Sequence, residues 1–145
     1  MKRYHLFSLP FIFIILVSSA ALAERLTVSA SVANIRSGPG NHYEILRKVK
    51  KYYPVWILEK TGQWLRFCNY EGDEGWIHES LVNNVSTVIT KTTNCNIRKG
   101  PGTFSKVSAT VGKGLSFKII KRKGEWLNIQ HAGGFIGWIH ESLVW

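Results

Sequence analysis

Beyond its first two dozen residues the chain is dominated by short runs that alternate with a period of two. Tyr53, Val55 and Ile57 alternate with Pro54, Trp56 and Leu58, and Leu115, Phe117 and Ile119 alternate with Ser116, Lys118 and Ile120. Lys118 marks the outward set, so Leu115, Phe117 and Ile119, and by analogy Tyr53, Val55 and Ile57, are expected to point into a core. A second run in each half behaves alike: Leu65 and Phe67, then Leu127 and Ile129, flank the polar Arg66 and Asn128. No stretch of ten residues keeps a helical period, and turn residues separate the runs. The predicted fold class is all-β. For the inward sets to share one face across the hairpin at Gly62 or Gly124, Ile57 should oppose Leu65, because a one-residue slip turns every side chain over. An odd-length loop over residues 59–63 meets that condition and places Trp56, Leu58, Trp64 and Arg66 together on the outer face.

One offset then organises the whole pattern. Asn34-Ile35-Arg36-Ser37-Gly38-Pro39-Gly40 recurs as Asn96-Ile97-Arg98-Lys99-Gly100-Pro101-Gly102, Gly62-Gln63-Trp64-Leu65 as Gly124-Glu125-Trp126-Leu127, and Gly75 to Val82 recurs unchanged as Gly137 to Val144. Each match is 62 residues from its partner, and pairing residues 26–83 with 88–145 gives 21 identities in 58 pairs, so a single unit has been duplicated without a net gap. A copy of about 60 residues is near the smallest size that folds alone. Two domains follow, 24–83 and 84–145, and the few residues around 83–87 are too short a connector for independent movement.

The motifs N-I-R-x-G-P-G, G-x-W-L and G-W-I-H, at the same spacing twice, resemble the bacterial SH3-like (SH3b) family over essentially all of residues 24–145. The resemblance implies two tandem small SH3-like β-barrels, each strongly bent and of five to seven strands. It further implies non-catalytic attachment to cell-wall peptidoglycan or to envelope proteins. Modules of this type often accompany a wall hydrolase or amidase domain, for which the chain leaves no room, so it is expected not to be an enzyme. Read physically, Gly38-Pro39-Gly40 makes a tight turn after the first strand, with φ fixed at Pro39 and positive φ open to the flanking glycines.

The first residues change the choice of partner. Lys2 and Arg3, the uncharged run from Leu6 to Val17 and the Ala-x-Ala ending at Ala23 read as a signal peptide cleaved after Ala23. The apolar run is short for a membrane span, which needs about 20 residues, so no stable span is expected. The expected localisation is therefore exported, in the periplasm or extracellular at the cell envelope. Nineteen Lys and Arg against nine Asp and Glu give +10, which would suggest nucleic acid in the cytoplasm; export removes that partner. The charge is unevenly divided, with eight cations and seven anions in 24–83 (+1) and nine and two in 84–145 (+7). Lys118, Lys121, Arg122 and Lys123, with Lys113 near, are expected to meet an anionic polymer from the second domain or, as the plainer use, to form a solvated edge.

Candidate ligand-binding residues come from comparing the copies. Trp56 aligns with Lys118 and Tyr70 with Ala132, so neither is required by the shared core, and both are candidate exposed aromatic contacts. Trp64 and Trp126 recur, as do Trp76 and Trp138, which packing alone would also explain. Asn34, Arg36, Asn96 and Arg98 are polar accessories to a ligand or, more commonly for such residues, braces of the turn. Cys68 and Cys95 have opposite parity and no repeat, which argues against a disulfide and against a shared thiol site. His78-Glu79 and His140-Glu141 read as turn-bracing rather than zinc-binding, and Glu71, Asp73 and Glu74 lack the spacing of a calcium loop. No cofactor or metal is expected. The expected function is an exported binding module for peptidoglycan or an envelope-protein peptide; the alternative is a structural adaptor docking a periplasmic or secreted protein.

Overall fold

The computed structural model describes residues 23–145, so the expected signal peptide lies, but for Ala23, outside the described residues. The first half folds as β1 (Glu24–Val28), β2 (Val32–Arg36), β3 (Ile45–Lys50), β4 (Pro54–Thr61), β5 (Trp64–Cys68), β6 (Glu74–His78), a 3₁₀ turn (Glu79–Leu81) and β7 (Val82–Asn83). Its seven strands order as β3-β2-β6-β5-β4-β1-β7, antiparallel throughout. The second half repeats the plan with β8 (Thr87–Ile89), β9 (Cys95–Arg98), β10 (Val107–Val111), β11 (Ser116–Lys123), β12 (Trp126–Gln130), β13 (Ile136–His140) and a 3₁₀ turn (Glu141–Leu143), in the order β10-β9-β13-β12-β11-β8. The counterpart of β7 shrinks to a bridge between Thr90 and Val144. The chain is all-β, and among the described residues no helix is long and apolar enough to cross a membrane.

Each sheet wraps one core. Ile35, Val55, Ile57, Phe67 and Ile77 are buried in the first, and Ile97, Phe117, Leu127, Ile129 and Ile139 in the second. The large ring changes strand between copies. Val55 on β4 and Phe67 on β5 become Phe117 on β11 and Ile129 on β12, so volume lost at one position is regained at its neighbour, the kind of exchange that close-packed interiors tolerate.

The hairpin register differs from the expected one. Ile57 opposes Phe67, Lys60 opposes Leu65 and Thr61 opposes Trp64, so the connection is the two-residue turn Gly62-Gln63 rather than an odd-length loop. Gly62 takes φ of 60° and Gly124 of 58°, the positive φ that a tight hairpin turn requires at its first central residue. The odd residue enters instead as a β-bulge between Ile57 and Glu59, repeated between Ile119 and Lys121, which places Leu58 and Ile120 outside the pairing. A bulge restores the common inward face just as an odd loop would.

The Gly-Pro-Gly turn follows β2, the second strand rather than the first, and its glycines are there for space. Neither Gly38 nor Gly40 has positive φ; a Cβ on Gly40 would meet the His42 ring at 2.7 Å, and one on Gly38 would overlap the Tyr43 ring. Only Gly102 among the four takes positive φ, 137°.

The domains meet through β1 and β8. Thr27 and Thr87, 2% and 3% exposed, join hydroxyl to hydroxyl at 2.7 Å, and Thr27 Oγ1 also donates to the Val85 carbonyl at 2.8 Å. Arg25 donates to the Thr87 carbonyl at 3.2 Å, and its guanidinium lies 4.2 Å from the centre of the Trp145 ring, a cation–π contact. These bonds engage the carbonyls of Val85 and Thr87, so the first domain holds the end of the connector directly.

Candidate functional site

Three adjacent strands of the first domain open a cleft of about 380 Å³ in which Asn34 and Arg36 of β2, His78 of β6 and Trp64 of β5 converge, with Leu81 closing one end. Register explains the meeting: Trp64 pairs with His78 across β5 and β6, and β6 lies beside β2 through the pairing of Arg36 with Trp76. The His78 ring stands edge-on to Trp64, centroids 5.2 Å apart at 88°, a favoured aromatic arrangement. Nδ1 of His78 accepts the Ser80 backbone N–H at 3.2 Å and lies 2.8 Å from its hydroxyl, so the imidazole braces the 3₁₀ turn and, when neutral, carries its proton on Nε2. The second domain copies the pair, with Trp126 and His140 5.2 Å apart at 82° and Nδ1 of His140 accepting from Ser142. One difference separates them. Nε2 of His140 lies 3.3 Å from Glu125, whereas Gln63 fills that slot in the first domain and no protein bond holds Nε2 of His78 among the described residues.

Of the eight residues singled out in the sequence, the structure gathers Asn34, Arg36 and Trp64 here, and Trp126 in the equivalent setting of the second domain. Arg36 braces the wall: Nη1 donates to the carbonyls of Asn41 and Tyr43, both at 2.9 Å, and Arg98 repeats this with Thr103 at 2.9 Å and Ser105 at 3.0 Å. Asn96 accepts from Thr110 Oγ1 at 3.0 Å, while the Asn34 amide makes no side-chain hydrogen bond among the described residues and is open to a ligand.

Trp56 and Tyr70 do not share a groove with Trp64. Trp56 is 38% exposed, but it pairs with Cys68 at one end of the β4–β5 hairpin while Trp64 pairs with Thr61 at the other. Four residues of β5 separate the two positions, about 13 Å of strand. Tyr70 is drawn to the second domain: its hydroxyl faces Gly114, its ring lies 5.7 Å from Lys113 Nζ, and Lys113 reaches Glu71 at 3.5 Å. Loss of solvation first, then the hydrogen bond and charge of Glu71, push its phenol up to about 12. A phenol raised above its unfolded value favours the folded state fully below pH ~10 and loses that contribution as the pH climbs towards 12. Spectrophotometric titration at 295 nm is expected to show a late tyrosine step near pH 12 that Tyr70→Phe removes; an unchanged titration of the variant would contradict the assignment.

The remaining candidates disperse. Cys95 is buried with its thiol 3.2 Å from the Thr92 carbonyl, Cys68 is half-buried in the other domain, and both are free. Asp73, Glu71 and Glu74 pair separately with Arg47, Lys113 and Arg66. Among the described residues no group of three His, Cys, Asp or Glu is placed to hold a metal ion. The expectation that His78 and His140 brace their turns is met by the bonds to Ser80 and Ser142; the sequence did not show that each ring also stands against Trp64 or Trp126, although the recurrence of both residues was an available signal.

The bacterial SH3 domain profile matches residues 29–84 and 91–145. The chain belongs to the bacterial SH3 domain family. This tandem SH3 chain is 26% identical over 138 residues to a putative N-acetylmuramoyl-L-alanine amidase, YrvJ, of Bacillus subtilis strain 168, covering 88% of this chain and 26% of that protein. It is 46% identical over 52 residues to the probable cell wall amidase LytH of Staphylococcus epidermidis, 35% of this chain and 18% of that one. The tandem SH3 chain thus spans about a quarter or less of the curated relatives it matches. Among solved structures it is similar to an NlpC/P60 family protein of Bacillus cereus (12% identity, TM-score 0.41, 84% of this chain and 56% of that one) and to NlpC2 of Trichomonas vaginalis (16%, 0.37, 88% and 49%). The expectation that the SH3 chain is not an enzyme is corrected here. Its curated relatives are named amidases that contain a segment of this kind as a minor part, so the length of the SH3 repeat is no ground for excluding catalysis.

Proposed function

We propose that this tandem bacterial SH3 chain is a cell-envelope module that recognises peptidoglycan through the Asn34–Trp64–His78 cleft, with the Trp126–His140 pair as a second contact. The observation that carries the reading is the same tryptophan set edge-on to the same turn-capping histidine in both copies. A half-buried indole offers a flat apolar platform with a polar rim, suited to a sugar face or a peptide, and the Asn34 amide with Nε2 of His78 adds a donor–acceptor pair beside it. The reading is supported by the names of its relatives, an N-acetylmuramoyl-L-alanine amidase and a cell wall amidase. Two sites on one chain gain avidity on a repeating polymer without new contacts.

Sedimentation with purified sacculi tests this. Trp64→Ala is expected to weaken retention by about tenfold or more, as loss of an aromatic anchor does, with Trp56→Ala near wild type. Retention unchanged by Trp64→Ala in a variant that keeps its circular dichroism spectrum would remove the cleft from the function.

A further inference from the structure

Between the two domains lies a second cleft, of about 430 Å³, walled on one side by Lys48, Lys50 and Lys51 and on the other by Leu115, Ser116 and His131. We propose that it is a binding site for a phosphodiester polyanion, independent of the aromatic cleft above. Three observations lead there. Lys48 and Lys50 sit two residues apart on edge strand β3, with buried Val49 between them facing the core, so their side chains share the outer face about 6.6 Å apart along the strand, and Lys51 follows in the turn. No carboxylate pairs with them, and the Tyr52 ring, 5.4 Å from Lys51 Nζ, leaves that charge intact. Five of the first domain's seven acids are engaged elsewhere, Asp73 with Arg47, Glu79 with Lys60, Glu59 and Glu74 with Arg66, and Glu71 with Lys113, and among the described residues none of the three lysines forms a salt bridge. Lastly, His131 holds its Nδ1 as acceptor of the Gly133 N–H at 3.0 Å, which assigns Nε2–H as the donor of a neutral ring on the opposite wall.

Converging unpaired cations in a partly enclosed site raise the local potential and draw in an anion. The cleft lining contains no carboxylate to oppose an anion, and its ammonium groups, with freely rotating donors, donate to phosphate oxygens from any direction. Cations spaced along a strand suit charges spaced along a chain, and Tyr53 and Leu115 give apolar surface for the links between them. The hairpin expected from sequence to be the anionic contact is less available. Arg122, the guanidinium of that run, is paired with Glu141.

The probe is a soluble glycerol-phosphate oligomer titrated into the whole chain by calorimetry, with polyglutamate of equal charge and phosphatidylglycerol vesicles in parallel. The expected result is saturable binding of the oligomer that weakens as salt is raised. Lys48→Gln/Lys50→Gln/Lys51→Gln should weaken it by about tenfold or more, and Lys118→Gln/Lys121→Gln/Lys123→Gln by less than about twofold, as solvated cations that do not touch the ligand contribute little. Amide shifts should appear at both walls, at residues 48–51 and 114–116. Equal loss in the hairpin variant, equal affinity for polyglutamate, binding to vesicles but not to the oligomer, or no binding at all would each overturn the site. Because the readout is a sugar-free oligomer and the variants leave Trp64 intact, this failure is separable from failure of sacculus recognition.

Discussion

Phe117→Ala is expected to unfold the second domain while the first stays folded. Phe117 is 1% exposed at the centre of the second core, among Ile97, Leu127 and Ile139, with the His131 ring edge-on at 5.8 Å. Truncating a buried phenylalanine costs about 3–5 kcal/mol through lost transfer energy and the cavity left behind. A domain of about 60 residues has only some 3–9 kcal/mol of stability at the usual 0.05–0.15 kcal/mol per residue. The loss is therefore comparable to the whole. Val55, the aligned residue in the first core, is untouched, and its cluster shares no side chain with the second. Urea titration followed by amide NMR separates the outcomes: resonances of β9 to β13 should collapse at low denaturant while those of β2 to β6 persist. Simultaneous loss of both sets would mean instead that the Thr27–Thr87 joint makes the pair one cooperative unit.

That prediction rests on features the sequence displayed openly. Parity placed Val55, Ile57, Phe67, Phe117, Leu127 and Ile129 inside, because a strand buries every second residue, and the 62-residue offset doubled the evidence at each position. The slot shared by Trp56 and Lys118 announced an exposed ring for a sound reason, since a core position does not accept lysine. Other features had no sequence signal. A bulge at Leu58 and an odd-length turn solve the same parity problem with the same residues, and only backbone pairing distinguishes them. Tyr70 read as an exposed member of the first domain because what it faces, Gly114, is more than forty residues away. Contacts between copies escape a comparison of the copies, which reveals only what the two share. The glycines of Gly-Pro-Gly misled for a related reason: both a positive φ and a crowded Cβ demand glycine, and crowding by Tyr43 depends on where the returning loop lies.

The same ambiguity, resolved by the structure, gives a second large effect at Gly137. Its φ is not positive, so alanine is conformationally acceptable, and by chain entropy alone the substitution would stabilise by about 0.4–1 kcal/mol. Space decides otherwise. A Cβ there would overlap Cγ2 of Ile97, which is fully buried, and would stand 3.2 Å from the Arg98 carbonyl oxygen, a backbone atom that cannot turn aside. Gly137→Ala is therefore expected to destabilise the second domain by about 1–3 kcal/mol, the usual penalty for overpacking. Gly75→Ala should cost less: its Cβ would crowd Ile35 in the same way, but the Arg36 carbonyl is 3.7 Å off and leaves room for a small shift. Removing the obstructing methyl tests the cause. In a cycle of Gly137→Ala with Ile97→Ala, measured by chemical denaturation, the double variant should lose less than the sum of the singles, since each change occupies or vacates the same space. Strict additivity would show that Gly137 is required for something other than the close approach of β13 to Ile97 on β9, and it would leave the pairing of Trp138 with Arg98 as the point at which to look.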